Sequence, residues 1–253
     1  MTNNKTPITA CMLIIGNEVL SGRTQDANLQ FLATRLNEIG IRMAEARVIA
    51  DDEAGIIAAI NECRAKYDYV FTTGGIGPTH DDITAACVAR AFGVELERNE
   101  IAVNLLAEHV GRDNLNESRL KMAEIPVGAS LIDNPVSKAP GFRMENVFVM
   151  AGIPKIMQAM FASLRHQLQG GEPMKGLSVS SLITEGSVAA GLSAIQDRYP
   201  DVEIGSYPFV RVGKLGTSLV VRGIDEARLR AALEEIKGLV RSLGGDPVEE
   251  TTA

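Results

Sequence analysis

Apolar positions along about the first 165 residues alternate between two rhythms. Runs at Ile8–Ile15, Arg42–Ala50, Tyr67–Thr73 and Asn146–Met150 read as strands, the first ending at Gly16 in the manner of a buried parallel strand. Between them the spacing becomes helical. Leu29, Leu32, Leu36 and Ile39 share one face of a helix that Gly40 ends, and Asp51-Asp52-Glu53 supplies a cap and acidic first turn for Glu53–Lys66. Further helices are predicted over Asp82–Phe92, stopped by Gly93, and from about Ile156 to Leu168. Repeated strand–helix order predicts an α/β fold, a doubly wound and mostly parallel sheet with helices on both faces. Ligands of such sheets bind outside the carboxyl ends of the strands, so the loops after Ile15, Ala50 and Thr73 carry the interest.

Gln169-Gly-Gly-Glu-Pro reads as a linker. Beyond it the pattern is β-α-β-β-α: a strand at Leu177–Ile183, a helix at Ser187–Tyr199, strands at Glu203–Val212 and Thr217–Arg222, and an amphipathic helix over Asp225–Leu243. The expected division is an α/β domain at 1–170, a small α+β domain at 176–245 and a frayed tail at 246–253.

Composition narrows the partners. A formal charge of −7 argues against broad nucleic-acid or acidic-membrane binding. Cys11, Cys63 and Cys87 are odd in number and form no CxxC pair, so they read as buried thiols of a reducing compartment rather than a disulfide or zinc framework. No apolar run approaches the roughly 20 residues of a membrane helix. The polar start, Met1 to Pro7, leads into a strand rather than a secretion signal, and the expected location is cytoplasmic.

Candidate chemistry gathers after the third strand, in Thr72-Thr73-Gly74-Gly75-Ile76-Gly77-Pro78-Thr79-His80-Asp81-Asp82. Glycines let the backbone turn its amides toward an anion, and a helix N-terminus adds its dipole. Thr79 offers a cap or a hydroxyl for phosphate. Paired carboxylates beside such a loop repel a phosphate unless a cation mediates, which points to a metal–phosphate ligand held through Asp81 and Asp82. Glu18 and Asp26, after the first strand, are candidates to complete the metal site and orient water, although each also reads as a loop charge or helix cap. Gly16, Asn17 and Asp51 are candidate ligand contacts at neighbouring strand ends. His80 is weighed as an acid or base; His109 and His166 are assigned nothing.

Gly16-Asn17-Glu18-Val19-Leu20-Ser21-Gly22, Asp26-Ala27-Asn28 and Gly74–Thr84 resemble the molybdopterin-binding (MoCF) domain, in particular the N-terminal part of CinA-type proteins. Lys121–Ala129, Ala139-Pro140-Gly141-Phe142 and Gly152-Ile153-Pro154 extend the likeness, and Leu182–Ala189 with Ile204–Pro208 resembles that family's small KH-like domain. The resemblance implies metal-dependent hydrolysis of a nucleotide diphosphate such as ADP-ribose or FAD. Its alternatives are non-catalytic binding of molybdopterin or a nucleotide, and adenylylation of molybdopterin. It also implies a divalent cation (Mg²⁺, Mn²⁺ or Co²⁺, with K⁺ a further candidate) and a homo-oligomer. The family's functional aspartates fall on Asp82 and Asp51, and Gly141, Gly152 and Pro154 join the expected ligand contacts. The chain departs from the usual pattern at Asn17, where threonine is common, and at Ile156, where glutamate is. The deamidase domain of longer relatives lies outside the 253 residues, so deamidation of nicotinamide mononucleotide is not expected.

Overall fold

A computed structural model describes residues 7–250. The chain forms two compact units, one ending at Gly171 and one beginning at Glu172. In the larger unit, β1 (Ile8–Ile15) leads through a short helix α1 (Asn17–Leu20) to α2 (Asn28–Asn37), β2 (Ile41–Ile49), α3 (Glu53–Lys66), β3 (Tyr69–Thr73) and α4 (Thr84–Phe92). Then come β4 (Leu96–Arg98), α5 (Glu100–Val110), α6 (Glu117–Lys121), β5 (Glu124–Pro126), β6 (Ser130–Ile132), β7 (Gly141–Met144), β8 (Val147–Met150) and α7 (Pro154–Leu164).

The main sheet has the order β2-β1-β3-β8-β7-β6, parallel through β8, with β7 and β6 added antiparallel. β1 shows why its run is so apolar. Cys11, Leu13 and Ile15 enter a core with Ile56 and Ile60 of α3 and Cys87 and Val88 of α4. Ala10, Met12 and Ile14 face the opposite core, with Leu32 and Leu36 of α2 and Met157 and Phe161 of α7. A strand covered on both faces has no polar side to show.

α4 begins at Thr84, two residues later than the apolar pattern predicts. The Thr84 N–H bonds the Gly75 carbonyl at 3.0 Å and its hydroxyl the Gly74 carbonyl at 3.1 Å, so the turn is closed there and Asp82 stays in the loop. α7 begins earlier than expected because Pro154, with its missing N–H and fixed φ, suits a first helical turn.

The smaller unit contains β9 (Lys175–Ser181), α8 (Glu185–Arg198), β10 (Glu203–Arg211), β11 (Lys214–Gly223), α9 (Glu226–Ser242) and β12 (Val248–Glu250). Its sheet is antiparallel in the order β10-β11-β9-β12. Val212 and Gly213, at φ of 49° and 73°, make the tight turn of the β10–β11 hairpin, so the glycines at 213 and 216 belong to that hairpin. The expected frayed tail is corrected over 248–250, which pair with β9. Glu250 accepts from the Ser218 hydroxyl and from Arg211, both at 2.9 Å, and Glu249 pairs with Lys237. The polar start at 1–6 and the last tail residues, 251–253, lie outside the described residues. No helix among the described residues is long and apolar enough to cross a membrane.

Candidate functional site at the β3–α4 loop

α2 packs on one face of the sheet and α3 on the other, so the crossovers from β1 to β2 and from β2 to β3 run to opposite sides. The loops after neighbouring β1 and β3 therefore diverge, which is where a crevice forms in an open α/β sheet.

Glycine is required at the base of this crevice. Gly74 has φ 101°, and a Cβ there would lie 2.1 Å from the Ile15 carbonyl oxygen. Gly75 has φ 65°, with its Cβ position 2.2 Å from the Thr84 hydroxyl. The bonds from Thr84 then set the start of α4 beside Gly75 and Gly77, where the Ala85 and Ala86 amides have no preceding turn to bond. Ala85 and Ala86 of that turn line the cleft together with Asp82, Lys121 and Glu124.

Asp82 stands at the mouth. Its Oδ2 accepts from the Thr79 N–H at 2.8 Å and from the Thr79 hydroxyl, folding Pro78 and Thr79 back over Gly77. A Cβ on Gly77 would meet that carboxylate at 2.7 Å. The Thr79 hydroxyl also reaches Asp81 and, with that residue's own backbone and nearby His80 and Lys121, holds its carboxyl below the usual carboxylate range. The His80 side chain is 98% exposed, and its Nδ1 is 3.9 Å from Asp81 Oδ1.

The other expected residues divide. Asp51 lies at the neighbouring strand end, where its Oδ2 accepts the Asn17 N–H at 2.9 Å and so shapes the loop after β1. Glu18 folds over Gly16, whose Cβ position is 2.5 Å from the carboxylate. Asp26 accepts the Leu29 N–H at 2.9 Å, the duty of a cap for α2. Gly152 packs against Gly74, with its Cβ position 3.3 Å from the Gly74 Cα, and Pro154 opens α7. Thr73 is 1% exposed at the end of β3. Gly141, another expected ligand contact, stands between Pro140 and Phe142, which line the cleft. It lies buried in β7, where a Cβ would strike the Val149 carbonyl oxygen at 2.2 Å, so its smallness serves strand packing. Glu18 and Asp26 thus have local duties. Among the described residues, no group of three or more His, Cys, Asp or Glu side chains could hold a metal ion.

Two residues gain a place that their pattern did not announce. Lys121, at the end of α6, is the one cationic side chain lining the cleft, and its ammonium donates to the Thr79 carbonyl at 2.5 Å. Asn28, 3% exposed, donates through Nδ2 to the Gly152 carbonyl at 2.7 Å, while its Oδ1 is buried without a partner. In the sequence Asn28 is marked by the Asp26-Ala27-Asn28 motif and as a polar residue opening an otherwise apolar helix face.

The larger unit is thus an open α/β domain with a glycine loop and a helix N-terminus at the crevice between neighbouring strands. The chain belongs to the family described as a probable molybdopterin binding domain, which matches residues 11–169, and the middle domain of FAD synthase matches residues 176–243. A probable FAD synthase of Caenorhabditis elegans is 32% identical over 258 residues, covering 92% of this chain, which spans only 50% of that protein's length. A protein of Archaeoglobus fulgidus is 31% identical over 231 residues, covering 90% of this chain and 96% of its own. Among solved structures, the protein CinA of Thermoplasma acidophilum, described as of unknown function, matches with a TM-score of 0.61 and 32% identity. That match covers 64% of this chain and 99% of CinA's. The resemblance read from the sequence motifs is thereby borne out, as is the fold class.

Proposed function

We propose that the β3–α4 cleft binds the pyrophosphate of a nucleotide such as ADP-ribose or FAD and hydrolyses it with a divalent cation. One observation carries this reading: Gly75, Gly77, the open first turn of α4 and Lys121 converge on one cleft with Asp82 at its mouth. Free amides at a helix start and a nearby ammonium suit a phosphate, and they would favour the charge that builds up on the phosphoryl oxygens during transfer. The membership in a molybdopterin-binding family and the likeness to FAD synthase support a nucleotide or pterin as the ligand class.

The donor set fits a cation carried in on the substrate better than a resident one. Mg²⁺ binds through one or two carboxylates, with waters and substrate phosphates filling the remaining positions. Asp81 and Asp82 follow the loop directly in sequence, with Glu124 also on the cleft wall, and the two aspartates would hold that cation. When bound, it polarises the phosphoryl oxygen and lowers the pKa of an attacking water. Lys121, which lines the same cleft as Asp82, would offset part of the phosphate charge, and Asp51 keeps the Gly16–Asn17 backbone in place through the Asn17 amide. Exposed Tyr207, Val210 and Leu215 on the β10–β11 hairpin support a homo-oligomer, which light scattering measures directly.

The test is turnover of ADP-ribose, FAD and NAD with Mg²⁺, Mn²⁺ and Co²⁺, followed by separation of the nucleotide products. Hydrolysis of at least one substrate, lost in Asp82→Ala, is expected. No turnover with any cation, or an Asp82→Ala protein as active as the wild type, overturns the reading. Asp82 Oδ2 is already held by two donors of Thr79, and this favours a second reading, ligand binding without turnover. It predicts a nucleotide or pterin that stays bound and unchanged.

A further inference from the structure

The β3–α4 cleft is narrow for a diphosphate. Its open volume is about 40 Å³, room for a few waters, whereas small-molecule sites usually run to roughly 300–1,000 Å³. One wall is the segment Gly77–Asp82, whose two end residues line the cleft.

This segment is a strap with firm anchors and a loose middle. Before it, Ile76 packs against the cores on both faces of the sheet. After it, Thr84 is fully buried and bonded to the Gly74 and Gly75 backbone. Pro78, Thr79, His80 and Asp81 between these anchors are all exposed. A segment that buries no apolar side chain is held by its polar bonds, and such segments open at small free-energy cost.

The bonds that fold the strap run through Thr79. Its N–H donates to Asp82 Oδ2 at 2.8 Å, and its hydroxyl donates to the same oxygen. Its carbonyl accepts from the Asp82 N–H at 3.3 Å and from the Lys121 ammonium at 2.5 Å, which ties the strap to α6. Asp82 and Lys121 are the two charged groups needed for a cation and a phosphate, and Thr79 engages both.

We propose that Thr79 is a latch: it holds Asp82 and Lys121 and keeps the strap closed, and a diphosphate with its divalent cation opens the strap by drawing both groups away. This rests on the reading of the cleft as a phosphate site and adds how entry is controlled. A ligand that binds only the open form has its apparent affinity reduced by the fraction of molecules that are open. Loosening the latch therefore strengthens binding, the reverse of removing a phosphate contact.

Methylenediphosphonate with Mg²⁺ tests this on the full chain. Its P–C–P bridge cannot be hydrolysed, so calorimetry reads binding whether or not a nucleotide is turned over. Thr79→Ala removes the hydroxyl bond to Asp82 and, because Thr79 is exposed, keeps the fold. It should speed amide exchange across residues 79–82 and tighten methylenediphosphonate binding, each about tenfold, the order that one hydrogen bond to a charged group gives. Thr79→Ser keeps the hydroxyl and should match the wild type in both measurements. Lys121→Ala should speed the same exchange yet weaken binding, because it frees the strap and removes a phosphate partner. Equal or weaker binding by Thr79→Ala, or unchanged exchange in it, overturns the latch and leaves the phosphate reading standing. Absence of binding by the wild type and every variant at concentrations on the order of 10 mM overturns both.

Discussion

Gly75→Ala is the sharpest probe of the β3–α4 loop, because its cost has two separable origins. The first is conformational. Gly75 sits at φ 65°, and holding an ordinary L-residue in that region costs about 1–2 kcal/mol. The second is a collision, since the new methyl would stand 2.2 Å from the Thr84 hydroxyl. Thr84 is fully buried and β-branched, so it escapes only by giving up its bond to the Gly74 carbonyl. Losing that buried bond adds about 1–3 kcal/mol, and Gly75→Ala should therefore destabilise the larger unit by roughly 2–5 kcal/mol.

Thr84→Ala separates the two origins. Alone it loses the hydroxyl bond and should cost about 1–3 kcal/mol. Combined with Gly75→Ala, it leaves room for the methyl, so only the backbone strain is added to its own cost. The double variant should fall short of the sum of the single changes by about 1–3 kcal/mol, the loss of one bond that both would otherwise count. Urea unfolding followed by far-ultraviolet circular dichroism measures all three, and tryptophan fluorescence is no alternative because the chain has no tryptophan. Strict additivity, or a Gly75→Ala cost within about 0.5 kcal/mol of zero, would refute the argument. The strain term does not depend on whether the loop binds a nucleotide, so the experiment tests the geometry before any ligand is known.

Two further outcomes concern other parts of the molecule. Ser218 and Arg211, followed by Ser180, hold the Glu250 carboxyl below its ordinary value of 4.5, so the folded state prefers it ionised. That contribution is present above the ordinary glutamate range and is lost as pH falls through the lower folded value. Acid should therefore release β12 from β9, with amide exchange at 248–250 rising first, and Glu250→Gln should flatten this dependence; an unchanged acid profile counts against the anchor. The thiols should be inert in the native protein, because Cys11, Cys63 and Cys87 are all buried, burial pushes all three thiols up, and Cys87 reaches about 11. A disulfide reagent at mild alkaline pH should label none until urea is added, and rapid native labelling of any of them sinks the assignment of that thiol to the core.

What could be read from the chain follows the length and regularity of each element. Ile8–Ile15 and Glu53–Lys66 were legible because burial on both faces of a strand, or on one stripe of a helix, imposes a pattern that a few residues already reveal. β4, β5 and β6 have three residues each, too few for a period, and β12 is polar because a neighbouring strand and ion pairs hold it rather than a core. The glycines at 74 and 75 were legible as a turn, but the reason they must be glycine was not. That reason lies in Ile15, from another strand, and in Thr84, nine residues onward. The same limit governs the charges. Asp81 and Asp82 stood out as a pair in the sequence, whereas the cation that lines the cleft with Asp82, Lys121, arrives from α6, 42 residues beyond the carbonyl it holds. Charge balance in this cleft is thus a tertiary property: Asp82 and Glu124 line it together with one ammonium, that of Lys121. Phosphate retention measured with and without a divalent cation therefore separates what Lys121 holds from what a metal adds.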